Sequence, residues 1–174
     1  VRPETDLIRT NTGSHFAVRR FDRDETGRRH VHTASGLLGA EHRNPGALDY
    51  ESLMKLTNIL TRDAREVGQV FRRMTFNVFA HNRDDHAKNH AFRMGQDGRW
   101  TAAPAYDLTY SVGPAGEHNF AVAGEGRRPG EREIMTVAGR ASIPPGEARA
   151  VIEEVRDAVG RWPEFAEKAG LTER

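Results

Sequence analysis

The chain has 174 residues, of which 37% are hydrophobic and 29% charged, and its formal net charge is +1. This size and composition predict one globular domain or one lobe of a larger protein, and the small net charge gives no electrostatic reason to expect binding to nucleic acid or to an anionic membrane. The absence of cysteine excludes disulfides and thiolate zinc sites, and without a long apolar run or a signal-peptide pattern we expect a cytoplasmic protein with no membrane association.

The first 24 residues predict a β-hairpin. Residues 6–9 and 15–21 form the candidate strands, and the connection at 11–14 contains Asn, Thr, Gly and Ser, which favour tight turns. The second strand runs into the motif RFDR at residues 20–23. A further strand is predicted at 29–33, and Thr33 is in position to open a short helix.

Helical periodicity begins after Asp49, a candidate N-cap, and Asp63 is the candidate N-cap of a second helix. The predicted apolar face of the first helix consists of Leu53, Leu56, Ile59 and Leu60. The second helix is predicted to bury Val67, Val70, Phe71, Met74 and Val78 and to expose Arg65, Glu66, Gln69, Arg72 and Arg73. Towards the end of the chain, residues 110–129 predict an irregular surface loop, and residues 132–140, 147–159 and 162–170 predict helices.

The most informative stretch is the polar segment NRDDHAKN at residues 82–89. Asp84 and Asn89 have the spacing of the catalytic-loop Asp and Asn of protein kinases, in which the Asp accepts the proton of the attacking hydroxyl and the Asn binds Mg²⁺. A hairpin with strands at 91–94 and 99–102 is predicted next, and it leads to Asp107, where kinases have a second metal-binding Asp. Taken together, this order of residues indicates phosphoryl transfer.

Each residue taken singly has a simpler interpretation, because Asp and Asn are common in turns and caps. Asp85 is predicted to be a solvated loop acid. His81, His86 and His90 are predicted to orient the loop through hydrogen bonds rather than to transfer protons.

The string DDHAKN at 84–89, followed by APAYDL at 103–108, resembles the HipA family of bacterial serine/threonine kinases, the toxins of toxin–antitoxin pairs. The resemblance implies that Asp84 is the catalytic base, that Asn89 and Asp107 bind Mg²⁺, and that Lys88 lies on the phosphate side of ATP. The RFDR motif resembles the hinge of the same family, which implies adenine contacts from the carbonyl of Arg19 and the N–H of Phe21.

The same resemblance implies an α+β fold, a mostly helical kinase-like C-terminal lobe preceded by a hairpin. Residues 1–24 would be the end of the N-terminal lobe, and residues 25–174 would be the C-terminal lobe. The implied partners are a protein substrate, with glutamyl-tRNA synthetase as an example, and a HipB-like helix-turn-helix antitoxin that binds operator DNA.

Two other functions stay open. The chain has no G-x-G-x-x-G loop, and its lysines, Lys55, Lys88 and Lys168, do not lie on a predicted N-terminal strand, so we expect the upstream phosphate loop and strand lysine of a kinase to be missing from it. A non-catalytic kinase-like binding module is therefore one alternative. A metal-dependent phosphohydrolase is the other, and it would use His81, Asp84, Asp85, His86 and His90.

Overall fold

The chain begins with a β-hairpin, seen in a computed structural model that describes residues 4–25, 27–40 and 48–171. Strands β1 (Thr5–Thr10) and β2 (Gly13–Val18) pair antiparallel, with Leu7 opposite Phe16. The predicted hairpin is confirmed, but β2 ends at Val18 rather than at residue 21. Beyond it, Arg20 folds back locally, and its Nε donates to Asp22 Oδ1 at 2.8 Å.

A second short hairpin is formed by β3 (Arg23–Asp24) and β4 (Gly27–Arg28). The next strand, β5 (His30–Thr33), is the edge of a three-stranded antiparallel sheet with β6 (Ala91–Met94) and β7 (Trp100–Ala102) in the order β5-β6-β7. The strand predicted near residues 29–33 is thus confirmed, and its partner comes from the hairpin that follows the polar segment. Helix α1 (Ala34–Leu38) begins after Thr33, whose hydroxyl oxygen accepts from Gly36 N at 3.2 Å.

Helices build the rest of the domain. Both predicted N-caps are confirmed, because Asp49 accepts from Ser52 N at 2.7 Å and Asp63 accepts from Arg65 N at 2.9 Å. The helices are α2 (Tyr50–Thr61), α3 (Ala64–Phe79), α4 (Glu131–Arg140), α5 (Pro145–Gly160) and α6 (Trp162–Ala169). Six helices and small antiparallel sheets in the described part of the chain make an α+β fold, as predicted.

Helix α3 is the centre of the core and packs against α2 and α5. Its predicted apolar stripe is confirmed, since all five members are buried. Burial of large apolar side chains stabilises a fold by about 1.5–3 kcal/mol each, so this helix is a firm base for the loop that follows it. None of the helices in the described ranges has both the length and the apolar composition needed to cross a bilayer.

Two predictions of exposure in the helices are wrong. Ile59 is 63% exposed, because the buried face of α2 runs through Leu53, Met54 and Thr57 instead. Arg73 was predicted to face solvent, but it is only 7% exposed and donates to the carbonyl oxygen of Ala103 at 2.8 Å.

The segment at 110–129 is irregular, as predicted, but it is not wholly a surface loop. Phe120 and Val122 belong to the hydrophobic core. The ring of Phe120 lies 5.3 Å from that of Tyr50 and 5.3 Å from that of His90. These aromatic contacts tie the segment to α2 and to the end of the polar loop.

Candidate active site

The polar segment is a loop held at both ends. At its start the chain leaves α3, His81 adopts a positive φ of 51°, and Asn82 N donates to the carbonyl oxygen of Asn77 at 2.9 Å. At its end a short 3-10 turn (Ala87–Asn89) leads directly into β6. The loop therefore has little freedom, which suits side chains that must keep a fixed geometry.

Asp84 and Asn89, five positions apart in the chain, meet within this loop. The side-chain Nδ2 of Asn89 donates to the main-chain oxygen of Asp84 at 2.9 Å. Because the amide nitrogen is used in this way, the amide oxygen of Asn89 is directed away from that bond and can serve as a metal ligand. Asn89 is buried and Asp84 is exposed, so the structure places the amide inside and the carboxylate at the surface.

Asp107 belongs to a segment that runs beside the loop. Asn82 Nδ2 donates to the main-chain oxygen of Asp107 at 3.4 Å, and the hydroxyl of Tyr106 donates to the main-chain oxygen of Lys88. Asp107 itself is exposed and has a positive φ of 56°, a conformation that Asp tolerates better than most residues. These contacts bring the backbone of Asp107 next to the loop that carries Asp84 and Asn89.

The donor set of these positions fits Mg²⁺ by its chemistry. The Asp107 carboxylate and the Asn89 amide oxygen are hard oxygen donors, and Mg²⁺ needs few protein ligands because it keeps several of its waters. Within the described residues, by contrast, no group of three or more His, Asp or Glu side chains is arranged to hold a metal ion. This finding gives no support to the phosphohydrolase alternative.

Asp85 is a correction to the sequence prediction, since it is 0% exposed rather than solvated. Its Oδ2 accepts from the hydroxyl of Tyr50 at 2.6 Å and lies 3.2 Å from His118 Nδ1, and its Oδ1 accepts from Phe120 N at 3.3 Å. Burial, followed by the Asp85 charge, raises the pKa of Tyr50 well above its usual value. The phenol therefore keeps its proton and remains a donor to the carboxylate.

A chain of buried hydrogen bonds continues from Tyr50. Asn77 Nδ2 donates to the Tyr50 hydroxyl at 2.8 Å, and Asn82 Nδ2 donates to Asn77 Oδ1 at 3.1 Å. Asn82 also contacts the main-chain oxygen of Asp107. The network therefore links Asp85, through Tyr50 of α2 and Asn77 of α3, to the backbone of Asp107.

The two predicted hinge positions, Arg19 and Phe21, follow directly after β2. The ring of Phe21 is 5.6 Å from the ring of Tyr106, which in turn contacts Lys88. Burial is the main reason that the pKa of Tyr106 is raised to about 12. The backbone N–H of Arg19 donates to Glu4 O at 2.9 Å. The structure thus brings Phe21 close to the segment before Asp107, while the roles of Arg19, Phe21 and Lys88 stay predictions.

Sequence reasoning missed several polar residues that hold this site. Asn77 was detectable in principle, because it is a polar residue inside the apolar run of α3. Tyr50 carries no such signal, since its partner Asp85 lies 35 positions away in the chain.

Residues 2–162 match a family model described as HipA-like C-terminal domain. A similar solved structure is HipA in the Shewanella oneidensis MR-1 toxin–antitoxin complex of HipA, HipB and operator DNA. The TM-score is 0.77 at 17% identity, with 98% of this chain and 45% of that chain covered. At this identity the likeness shows the fold, and the chain spans less than half the length of that relative. No curated protein sequence matches the present chain.

Proposed function

We propose, because the chain belongs to the HipA-like C-terminal domain family, that it is the C-terminal lobe of a protein serine/threonine kinase. The family membership confirms the resemblance that the motifs at 84–89 and 103–108 indicated. The proposed reaction transfers the γ-phosphoryl group of ATP to a Ser or Thr hydroxyl of a protein. The observation that supports it most directly is the exposed Asp84 carboxylate, whose own backbone is bound by the side chain of Asn89.

Asp84 is the proposed general base. One of its oxygens, Oδ1, accepts a hydrogen bond from Asn119 Nδ2 at 3.1 Å, which leaves Oδ2 for the acceptor hydroxyl. A base must reach the proton that it accepts within about 2.6–3.2 Å. An exposed carboxylate can be reached at this distance by a hydroxyl presented by another protein.

Asn89 and Asp107 are the residues that would hold Mg²⁺, and Lys88 would face the phosphates. Bound Mg²⁺ would neutralise charge on the phosphate oxygens and orient them for transfer. The carbonyl of Arg19 and the N–H of Phe21 would bind the adenine edge. The contact of Phe21 with Tyr106 supports this assignment, because it ties the proposed adenine side to the segment that carries Asp107.

The proposed partners follow from the family. The similar structure is a complex of HipA with HipB and operator DNA, and we propose a HipB-like helix-turn-helix antitoxin for the present protein, with operator DNA reached through it. The proposed substrate is a cytoplasmic protein, and glutamyl-tRNA synthetase is the first candidate to assay.

The experiment that tests the kinase assignment is Asp84→Asn in the complete protein. The variant keeps the size of the side chain but cannot accept the proton, so phosphoryl transfer from radiolabelled ATP should fall to background while the circular dichroism spectrum stays unchanged. Asp97→Asn is the matched control, because Asp97 lies in the exposed turn between β6 and β7, and it should keep full activity. Full activity in Asp84→Asn would refute the assignment.

A second candidate function is a kinase-like binding module, and the positions of the lysines favour it for this chain taken alone. Lys55 lies in α2, Lys88 in the 3-10 turn and Lys168 in α6, so none of the three is on a strand where a kinase pairs a lysine with the α- and β-phosphates. Titration calorimetry of the 174-residue chain with Mg-ATP separates the candidates. A nucleotide-binding lobe gives saturable heat, which Asp107→Ala reduces, whereas a pure binding module gives none.

A further inference from the structure

Residues 118–120, within the irregular segment at 110–129, form a clamp on the polar loop of residues 82–89. Asn119 N donates to the main-chain oxygen of Arg83 at 3.1 Å, and Phe120 N donates to Asp85 Oδ1 at 3.3 Å. The ring of His118 reaches the other oxygen of Asp85. Three consecutive residues, 118–120, thus contact three consecutive residues of the loop, 83–85, at both backbone and side-chain level.

The middle residue of this clamp reaches the proposed base itself. Asn119 Nδ2 lies 3.1 Å from Asp84 Oδ1 and 3.4 Å from the main-chain oxygen of Arg83. Asn119 is only 8% exposed, whereas Asp84 is exposed. A buried side chain thus holds one oxygen of a surface carboxylate.

We propose that Asn119 is a positioning residue for the Asp84 carboxylate, an inference that rests on the proposed kinase function. A neutral amide donor orients the carboxylate without bringing a positive charge to it, so Asp84 keeps its charge for the acceptor hydroxyl. The bond also removes rotation about the terminal torsion of Asp84, which is broad for a free carboxylate. Oδ2 then keeps one direction and stays available to a substrate hydroxyl.

The fold holds Asn119 in place from two directions. Asp85 anchors the flanking residues His118 and Phe120 inside the core. On the other side, the chain crosses Arg83 at Gly113, where a Cβ atom would lie 2.6 Å from Arg83 Cβ and 2.1 Å from the oxygen of Glu117. Only glycine fits this crossing, and its φ of 70° also favours glycine. The approach of the segment to the loop is therefore built into the backbone.

A purely structural role for Asn119 predicts a different outcome from a positioning role, and Asn119→Ala distinguishes them. The variant retains the main-chain bond from Asn119 N to Arg83 and loses the side-chain bonds to Asp84 Oδ1 and to the main-chain oxygen of Arg83. We expect kcat for phosphoryl transfer by the complete protein to fall by about 10- to 100-fold, since misplacement of a catalytic group by about 1 Å has an effect of this order. The KM for Mg-ATP should stay within about twofold, because the hydrogen bonds of the Asn119 side chain go to Arg83 and Asp84, neither of which is a proposed nucleotide residue.

Two further variants sharpen the test. Asn119→Asp has the same size but places a second carboxylate against Asp84, and it should lower kcat at least as much as Asn119→Ala. Asn58→Ala is the matched control, because Asn58 is exposed on α2 and should leave both constants unchanged. A kcat within twofold of wild type in Asn119→Ala, with Asp84→Asn inactive, overturns this inference and leaves the kinase assignment standing. Full activity in Asp84→Asn overturns both.

A measurement independent of activity tests the contact. Melting temperatures of Asn119→Ala, Asp84→Ala and the double variant form a thermodynamic cycle. If the two side chains interact, the decrease in melting temperature of the double variant is smaller than the sum of the decreases of the two single variants. Additive losses would show that the bond does not form in solution and would overturn the inference.

Discussion

The buried hydroxyl of Tyr50 offers the sharpest test of the network beneath the site. It donates to Asp85 Oδ2 at 2.6 Å and accepts from Asn77 Nδ2 at 2.8 Å, and the residue is completely buried. Tyr50→Phe removes one oxygen atom and both bonds, while the ring keeps its contacts with Phe120 and His90. The change therefore isolates the polar contribution from the packing.

The expected loss follows from the two bonds. A hydrogen bond to a charged group contributes about 1.5–3 kcal/mol and a neutral bond about 0.5–1.5 kcal/mol, and both former partners stay buried with one bond fewer. We expect the free energy of unfolding to fall by about 2–4 kcal/mol. For a domain of this size that corresponds to a decrease in Tm of roughly 5–15 °C. The loss in free energy is a large part of the total stability of a typical domain.

Urea unfolding followed by circular dichroism measures this loss, and the slope of the transition should be unchanged because the buried surface is the same. Tyr110→Phe is the matched control. Tyr110 is 74% exposed, and its variant should stay within about 0.5 kcal/mol of wild type. If Tyr50→Phe is as stable as that control, the buried network described above is incorrect.

Two other residues give predictions of stability. Burial first, and then the charges of Arg73 and His86, lower the pKa of His90 well below its usual value. The native state therefore binds no proton there, whereas the unfolded chain does below pH about 6.5. His90 should reduce the free energy of unfolding by at most about 1.4 kcal/mol per pH unit as the pH falls below that value. His90→Phe should reduce this pH dependence of the free energy of unfolding, measured by urea denaturation at several values from pH 7 to pH 5. A pH dependence equal to that of wild type would contradict the prediction for His90. At the start of α2, Asp49→Ala removes the cap bond to Ser52 N and should cost about 1 kcal/mol in chemical denaturation. Asp157→Ala, on the exposed side of α5, serves as the comparison, and equal losses in the two variants would argue against a capping role.

Much of the fold was predictable, because many of its features depend on residues close together in the chain. The N-caps Asp49 and Asp63 bind N–H groups within three positions, and the hairpin of β6 and β7 closes over a four-residue turn at Gly95 to Gly98. The buried stripe of α3 follows from helical periodicity alone. The order of Asp84, Asn89 and Asp107 along the chain was also visible, although their catalytic roles stay predictions.

Other features were decided only when distant segments met. Nothing near Asp85 in the chain distinguishes it from a solvated loop acid, and it is buried because Tyr50, His118 and Phe120, each more than 30 positions away, supply its hydrogen-bond partners.

The helices, the turns and the polar loop could thus be predicted from the sequence, since short-range hydrogen bonds and periodicity depend on neighbouring residues. Which polar side chains are buried, and which of them hold Asp84, depends on contacts between distant segments, because a buried carboxylate or guanidinium is stable only where packing brings a partner to it.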